Sequence, residues 1–150
     1  MSTSSWEIDV PMVIPCGVRQ LRPWTANDRR HWRVKAEWTA TIRRAVALRA
    51  RNLHLTPQEH ITVGLHYAPG DNHRRDASNL MTSQKPAVDG LVDARLVPDD
   101  TARWVTELMP VLHPGKRPRR LWLVITAAAG QPDTPVLPPS AAVSATERRS

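Results

Sequence analysis

The stretch Glu59-His60-Ile61-Thr62-Val63-Gly64-Leu65-His66-Tyr67 decides the fold class. Ile61, Val63, Leu65 and Tyr67 fall on one side of it, and Thr62, Gly64 and His66 on the other. That alternation is the period of a strand with one buried face. A segment with helical spacing precedes the strand, and another follows it. Helices interleaved with strands point to a mixed α and β architecture. Pro57 closes the preceding segment, and Pro69-Gly70-Asp71-Asn72 marks the turn that follows.

Upstream, Thr25-Ala26-Asn27-Asp28 reads as a helix start, with Asp three residues after Thr as a variant capping box. From there to about Arg51, residues Val34, Trp38, Ile42, Ala45 and Val46 fall near one stripe. Arg29, Arg30, Arg33, Arg43, Arg44 and Arg51 lie largely off it, on a face that is either solvated or in contact with phosphate. Residues 6–14 read as a first strand that Pro11 confines to an edge or ends early. Residues 16–24 form a basic connector.

Downstream, residues 80–96 read as a second helix with Leu80, Gln84, Val88, Leu91 and Val92 facing inward. Pro86 lies inside it, so the regular helix is expected to begin near Pro86, after a separate turn over 80–84. Residues 104–111 and 120–127 read as two strands, joined as a hairpin by the turn at 113–119. The predicted fold class is α/β (α+β): a small mixed β-sheet of about four strands packed against two helices, in the order β-α-β-α-β-β. With no Phe in the chain, Trp24, Trp32, Trp38, Trp104 and Trp122 are expected to build the core. One folded domain is expected over residues 1–126, followed by a disordered Pro/Ser/Ala-rich tail over 127–150.

The chain carries 21 Lys and Arg against 14 Asp and Glu, a net charge of +7 with a sequence pI near 10.9. Lysine occurs only at 35, 85 and 116. Guanidinium groups bind phosphate oxygens bidentately, so this bias fits a nucleic-acid surface. Charges in the tail cancel, which leaves the excess on the rest of the chain. Cys16 stands alone, so an intrachain disulfide and a multi-cysteine zinc site are excluded. No signal-peptide pattern, no spanning apolar run and no glycine-rich phosphate loop is visible. A cytoplasmic protein is therefore expected, with no membrane partner and no nucleotide cofactor. His54, His60 and His66 recur at a spacing that fits neither a helix face nor zinc, and read as ordinary loop and strand residues.

The chemistry concentrates between Arg74 and Asp100: Arg74-Arg75-Asp76-Ala77-Ser78-Asn79-Leu80, Lys85, Asp89 and Pro98-Asp99-Asp100. Acidic residues flank the second helix at both ends. Converging carboxylates suit Mg²⁺ or Mn²⁺, and adjacent arginines suit phosphate. A straight helix keeps its ends apart, so the loops leaving it must fold back for Asp76 and Asp100 to share a cation. Lys85 and Asp89 lie four apart on one helical face. They form a simple ion pair, or else Lys85 points at a phosphate undergoing attack.

The pattern Arg-Arg-Asp-x-x-Asn-Leu, Lys85, Asp89, Leu91 and Pro98-Asp99-Asp100-Thr101 resembles the RusA-type Holliday junction resolvases, most nearly their actinobacteriophage members. Trp24-Thr25-Ala26-Asn27-Asp28-Arg29-Arg30-His31-Trp32 is similar to the same phage members. The resemblance covers roughly residues 6–126. It implies a homodimeric, Mg²⁺-dependent crossover junction endodeoxyribonuclease (Mn²⁺ also serving) that acts on four-way DNA junctions in recombination, repair or phage DNA processing. Asp76, Lys85 and Asp100 would be catalytic, with Asp76 and Asp100 as metal ligands and Asp99 and Asp89 as supporting acids. Arg74, Arg75, Arg29, Arg30, Lys116 and Arg117 would contact DNA. Three features depart from the pattern. Ser78 stands where the family has a second metal-binding Asp, the gap from Leu80 to Lys85 is longer, and Arg95 replaces a helix-ending glycine. Ser78 keeps open a second reading, a junction-DNA-binding protein of the same fold with weakened or absent cleavage. A basic scaffold protein with no preference for branched DNA is a third.

Overall fold

A computed structural model describes residues 3–12, 23–26 and 32–128. Arg29, Arg30, Asp28 of the capping box, most of the 16–24 connector and all of the tail beyond 128 lie outside the described residues.

The elements are β1 (Thr3–Asp9), α1 (Trp32–Asn52), β2 (Ile61–Ala68), α2 (Met81–Asp93), β3 (Val105–Glu107), β4 (Val111–Leu112) and β5 (Arg120–Ala128). The result is the expected mixed α+β layer, with one mixed sheet and two helices. The sheet runs β1-β5-β2-β3, and β4 pairs with β2 further along the same edge. The alternating strand is central: β5 lies antiparallel on one side of it, and β3 and β4 lie parallel on the other.

This corrects the expected hairpin. The last two strands are not neighbours, because β2 inserts between them. Local turn signals at 113–119 indicate a reversal, but they do not specify which strand receives the returning chain. The strand expected over 104–111 exists as two pieces. Pro110 interrupts it, since proline has no N–H to give a ladder.

One face of the sheet carries Ile61, Val63, Leu65 and Tyr67 of β2 against Leu121, Leu123 and Ile125 of β5, and all are buried. Both helices cover this face. α1 contributes Ile42, Val46, Ala47 and Ala50; α2 contributes Ala87, Val88, Gly90 and Leu91. At the crossing of α1 and α2, a Cβ on Gly90 would sit 2.6 Å from the Arg43 carbonyl oxygen. Only glycine permits that approach. Arg43 then locks the two helices together through a bidentate pair with Asp93, at 2.6 and 2.8 Å.

Of the tryptophans, Trp24 and Trp122 are buried, and Trp38 and Trp104 pack partly on the core. Trp32 is 66% exposed and does not belong to it. Two residues before Val34, it lies roughly 200° round the helix from that residue and so falls off the apolar stripe.

α2 does not begin near Pro86. A 3₁₀ turn over Ala77–Leu80 leads straight into a regular helix from Met81, and Pro86 sits inside that helix, buried. In the second turn a proline forfeits one bond, to the Thr82 carbonyl, and packing on the sheet offsets that loss.

The gap between β3 and β4 is filled from α2. Gln84 is fully buried. Its Oε1 accepts from the Leu65 N–H at 3.0 Å, and its Nε2 donates to the Leu108 carbonyl at 3.0 Å. The amide thus stands in for the missing ladder bond where the edge strand breaks.

Candidate active site

Asp76 ends the loop that leaves β2 and caps the 3₁₀ turn. Its backbone is extended, with φ −100° and ψ 117°. Oδ1 accepts from the Ser78 hydroxyl at 2.8 Å and the Ser78 amide at 2.9 Å. These two donors, the hydroxyl first, hold the exposed Asp76 carboxyl below the usual carboxylate range. Ser78 is therefore a donor to the first acid, where a carboxylate in its place would be a repelling neighbour.

Lys85 lies in the second turn of α2. Its Nζ donates to Asp89 Oδ1 at 3.0 Å, one turn along the helix. It also donates to Asp100 Oδ2, from the chain beyond the helix. The second contact requires the fold-back on which the sequence was silent. α2 ends in a Schellman motif: Arg95 N–H bonds the Val92 carbonyl, and Leu96 N–H bonds the Leu91 carbonyl. Arg95 takes the left-handed conformation there, with φ 64°. Buried Leu96 and Val97 anchor the returning segment. Asp99 then accepts from the Thr101 amide at 2.8 Å and hydroxyl at 2.6 Å, which closes a tight turn. This turn delivers Asp100 to Lys85, about two helical turns back from the end of α2.

The Lys85 ammonium is raised by Asp100 first and Asp89 next, against a desolvation effect of opposite sign. The same contact holds Asp100 below the usual carboxylate range. Near neutrality Asp76 and Asp100 are both anionic and Lys85 is cationic.

Lys85, Asp89 and Asp100 are thus brought together. Asp76 bonds Ser78 and Asp99 bonds Thr101, and neither shares that cluster's hydrogen bonds. Among the described residues, no three His, Cys, Asp or Glu side chains gather into a group able to hold a metal. The donor chemistry of Asp76 and Asp100 nevertheless fits a hard cation. Both present anionic oxygens, and Mg²⁺ is commonly held by one or two carboxylates with water completing its shell.

The basic residues divide by occupation. Arg75 forms a bidentate pair with Asp71, at 2.5 and 3.1 Å, and lies over the Tyr67 ring. Arg74 is exposed at the mouth of the 3₁₀ turn. Lys116 lies over the Trp122 ring, with Nζ 5.7 Å from its centroid. Arg117 sits on the exposed loop before β5.

The sheet face away from the helices carries a cluster that joins His66, expected as an ordinary strand residue, to His113 of the 113–119 turn and to Trp122, expected in the core. His66 Nδ1 and His113 Nε2 are 2.9 Å apart, and both rings stack on Trp122. The available signal was His66 on the outward side of an alternating strand. His113 and Trp122 come from elsewhere in the chain, and only strand pairing unites them.

No protein-family model matches the chain, and no curated protein sequence matches it.

Proposed function

We propose that this chain is a Mg²⁺-dependent, structure-selective DNA endonuclease of the RusA type, acting on four-way junctions as a homodimer. The observation that supports it most is the Lys85–Asp100 pair. A lysine on a helix and an acid from a distant turn share one spot, on a chain of net charge +7.

In this reading Asp76 and Asp100 are the ligands of the ion, with Asp89 beside them. The ion, when bound, would supply a water acidified for attack on phosphorus and neutralise the leaving oxygen. Lys85 stabilises the charge that builds on the phosphate oxygens in the transition state. Asp89 and Asp100 hold the ammonium in place before DNA arrives. Arg74 adds a phosphate contact next to Asp76. A four-way junction has near two-fold symmetry and needs two matched cuts, which a C₂ dimer supplies.

The test is cleavage of a synthetic four-way junction in Mg²⁺, with EDTA as control. Wild type cuts and Asp76→Asn does not. Absence of cleavage in Mg²⁺ and Mn²⁺ with junction binding intact favours the second reading, a junction-binding protein of the same fold. A specific observation supports that alternative: Ser78 gives Asp76 a hydroxyl donor where a second carboxylate would add a ligand. Restoration of cutting by Ser78→Asp would complete the case for it.

A further inference from the structure

A cleft lined by two arginines lies in another part of the fold, and none of Asp76, Lys85 and Asp100 lines it. The loop after β2 and the loop before β5 enclose an open cleft of about 830 Å³. Arg117 and Arg119 line it together with Pro69, Gly70, Pro118 and Met12.

The cleft is built, not incidental. The Gly115 N–H donates to the Asp71 carbonyl at 2.7 Å, which ties one loop to the other. Gly70 and Gly115 both take left-handed conformations, with φ +83° and +74°, that turn the two loops toward each other. Arg119 Nε reaches the Pro69 carbonyl at 3.4 Å across the cleft. The Arg117 stem passes Gly70, where an added Cβ would lie 4.0 Å from its Cγ.

The charge within it is one-sided. Asp71 is the acid of the lining, and the Arg75 guanidinium engages both its oxygens. That contact, together with the His73 amide, holds Asp71 far below the usual carboxylate range, as a matched ion pair. Arg117 makes no hydrogen bond or ion pair among the described residues. The Arg117 fork suits the paired oxygens of a phosphodiester, Arg119 adds positive charge beside it, and the proline and methionine walls suit sugar faces.

The cleft is also tied in sequence to the candidate catalytic acid. Asp76 lies five positions along the chain from Asp71, a reach of at most about 18 Å. At one phosphate per about 3.4 Å of axis along a strand, that is no more than about five phosphates.

We infer that this cleft binds the phosphodiester backbone of a DNA strand a few nucleotides away from the one cut, with Arg117 as its principal contact. The inference rests on the proposed nuclease function, whose substrate it positions. A phosphate could also come from a free nucleotide, and the experiment separates the two.

Binding of a fluorescent four-way junction is measured by anisotropy in EDTA, where no cutting occurs, across a range of salt. Arg117→Ala should weaken binding about tenfold and lower the magnitude of the salt slope by about one. Arg117→Lys should recover part of that loss. Arg44→Ala, exposed on α1, is the control for bulk charge and should change little. Thymidine monophosphate at a concentration matched in phosphate to a competing single strand should displace the junction poorly. Unaltered affinity in Arg117→Ala, or an equal loss in Arg44→Ala, overturns the inference. Equal competition by the mononucleotide overturns the strand assignment. A junction bound through Arg117 yet never cut in Mg²⁺ would sink the nuclease reading and leave the cleft standing.

Discussion

Lys85 donates to the carboxylate of Asp100, fifteen residues further along the chain. Asp89 already offers the ammonium a partner one turn away, so the second contact is not needed to satisfy it. Side chains 53% and 35% exposed form a pair worth at most about 1 kcal/mol. Its value is positional. It fixes the turn after α2 against the helix and sets a cation beside two acids.

The neighbouring Gln84 carries stability, whereas Lys85 carries the proposed chemistry. Gln84→Leu removes the partner of the Leu65 N–H and the Leu108 carbonyl and buries both unpaired. We expect a loss of about 3 kcal/mol, read as a lower urea midpoint at unchanged slope. A variant as stable as wild type would mean that the edge strand closes its own gap.

Arg95→Gly should stabilise. Arg95 is exposed, and at φ 64° it bears the cost of a Cβ in left-handed backbone. Glycine removes a penalty of about 1 kcal/mol at the end of the Schellman motif. Thermal unfolding should shift upward; a downward shift would show that the arginine side chain contributes more than its backbone costs.

Much of this was legible beforehand. The alternation at 61–67 gave a strand, the stripe at Ile42 and Val46 gave α1, and the Lys85–Asp89 spacing gave their contact, because each depends on residues within two turns of one another. The hairpin failed for the opposite reason. β2 enters between β5 and the β3–β4 edge, and that pairing is settled by burial of whole faces. Pro86 misled because local propensity counts one lost bond and not the sheet beneath it. The arrival of Asp100 at Lys85 depends on a helix end where arginine stands in place of the usual glycine, which hid the motif.

Stability should fall as pH drops below neutrality. Burial, then the proximity of His113, pushes the His66 imidazole below its ordinary value of 6.5. The unfolded chain therefore takes up this proton first. The stability linked to His66 is full above about pH 6.5 and declines as pH falls through the folded value. Asp71, Asp76, Asp93 and Asp100, all held low, add a further loss below about pH 4 in the same direction. Denaturation midpoints against pH should show both steps, and His66→Phe should remove the upper one. An upper step retained in that variant would assign it to another group.

Ser78→Asp should convert a hydrogen-bonded acid into a pair of repelling carboxylates. Without divalent cation the variant should melt below wild type. Added Mg²⁺ should raise its melting temperature by more than it raises that of wild type, since the second carboxylate gains most from a shared cation. Identical Mg²⁺ shifts in the two proteins would place residue 78 away from any bound ion.

The central claim is that Lys85 and Asp100 serve hydrolysis of a phosphodiester. Single-turnover cleavage of a four-way junction in Mg²⁺ tests it most directly, with Lys85→Ala and Asp100→Asn measured at saturating protein. Each variant should cut at least about a hundredfold more slowly than wild type while binding the junction within a few-fold of it. Cleavage at the wild-type rate by either variant would contradict the account.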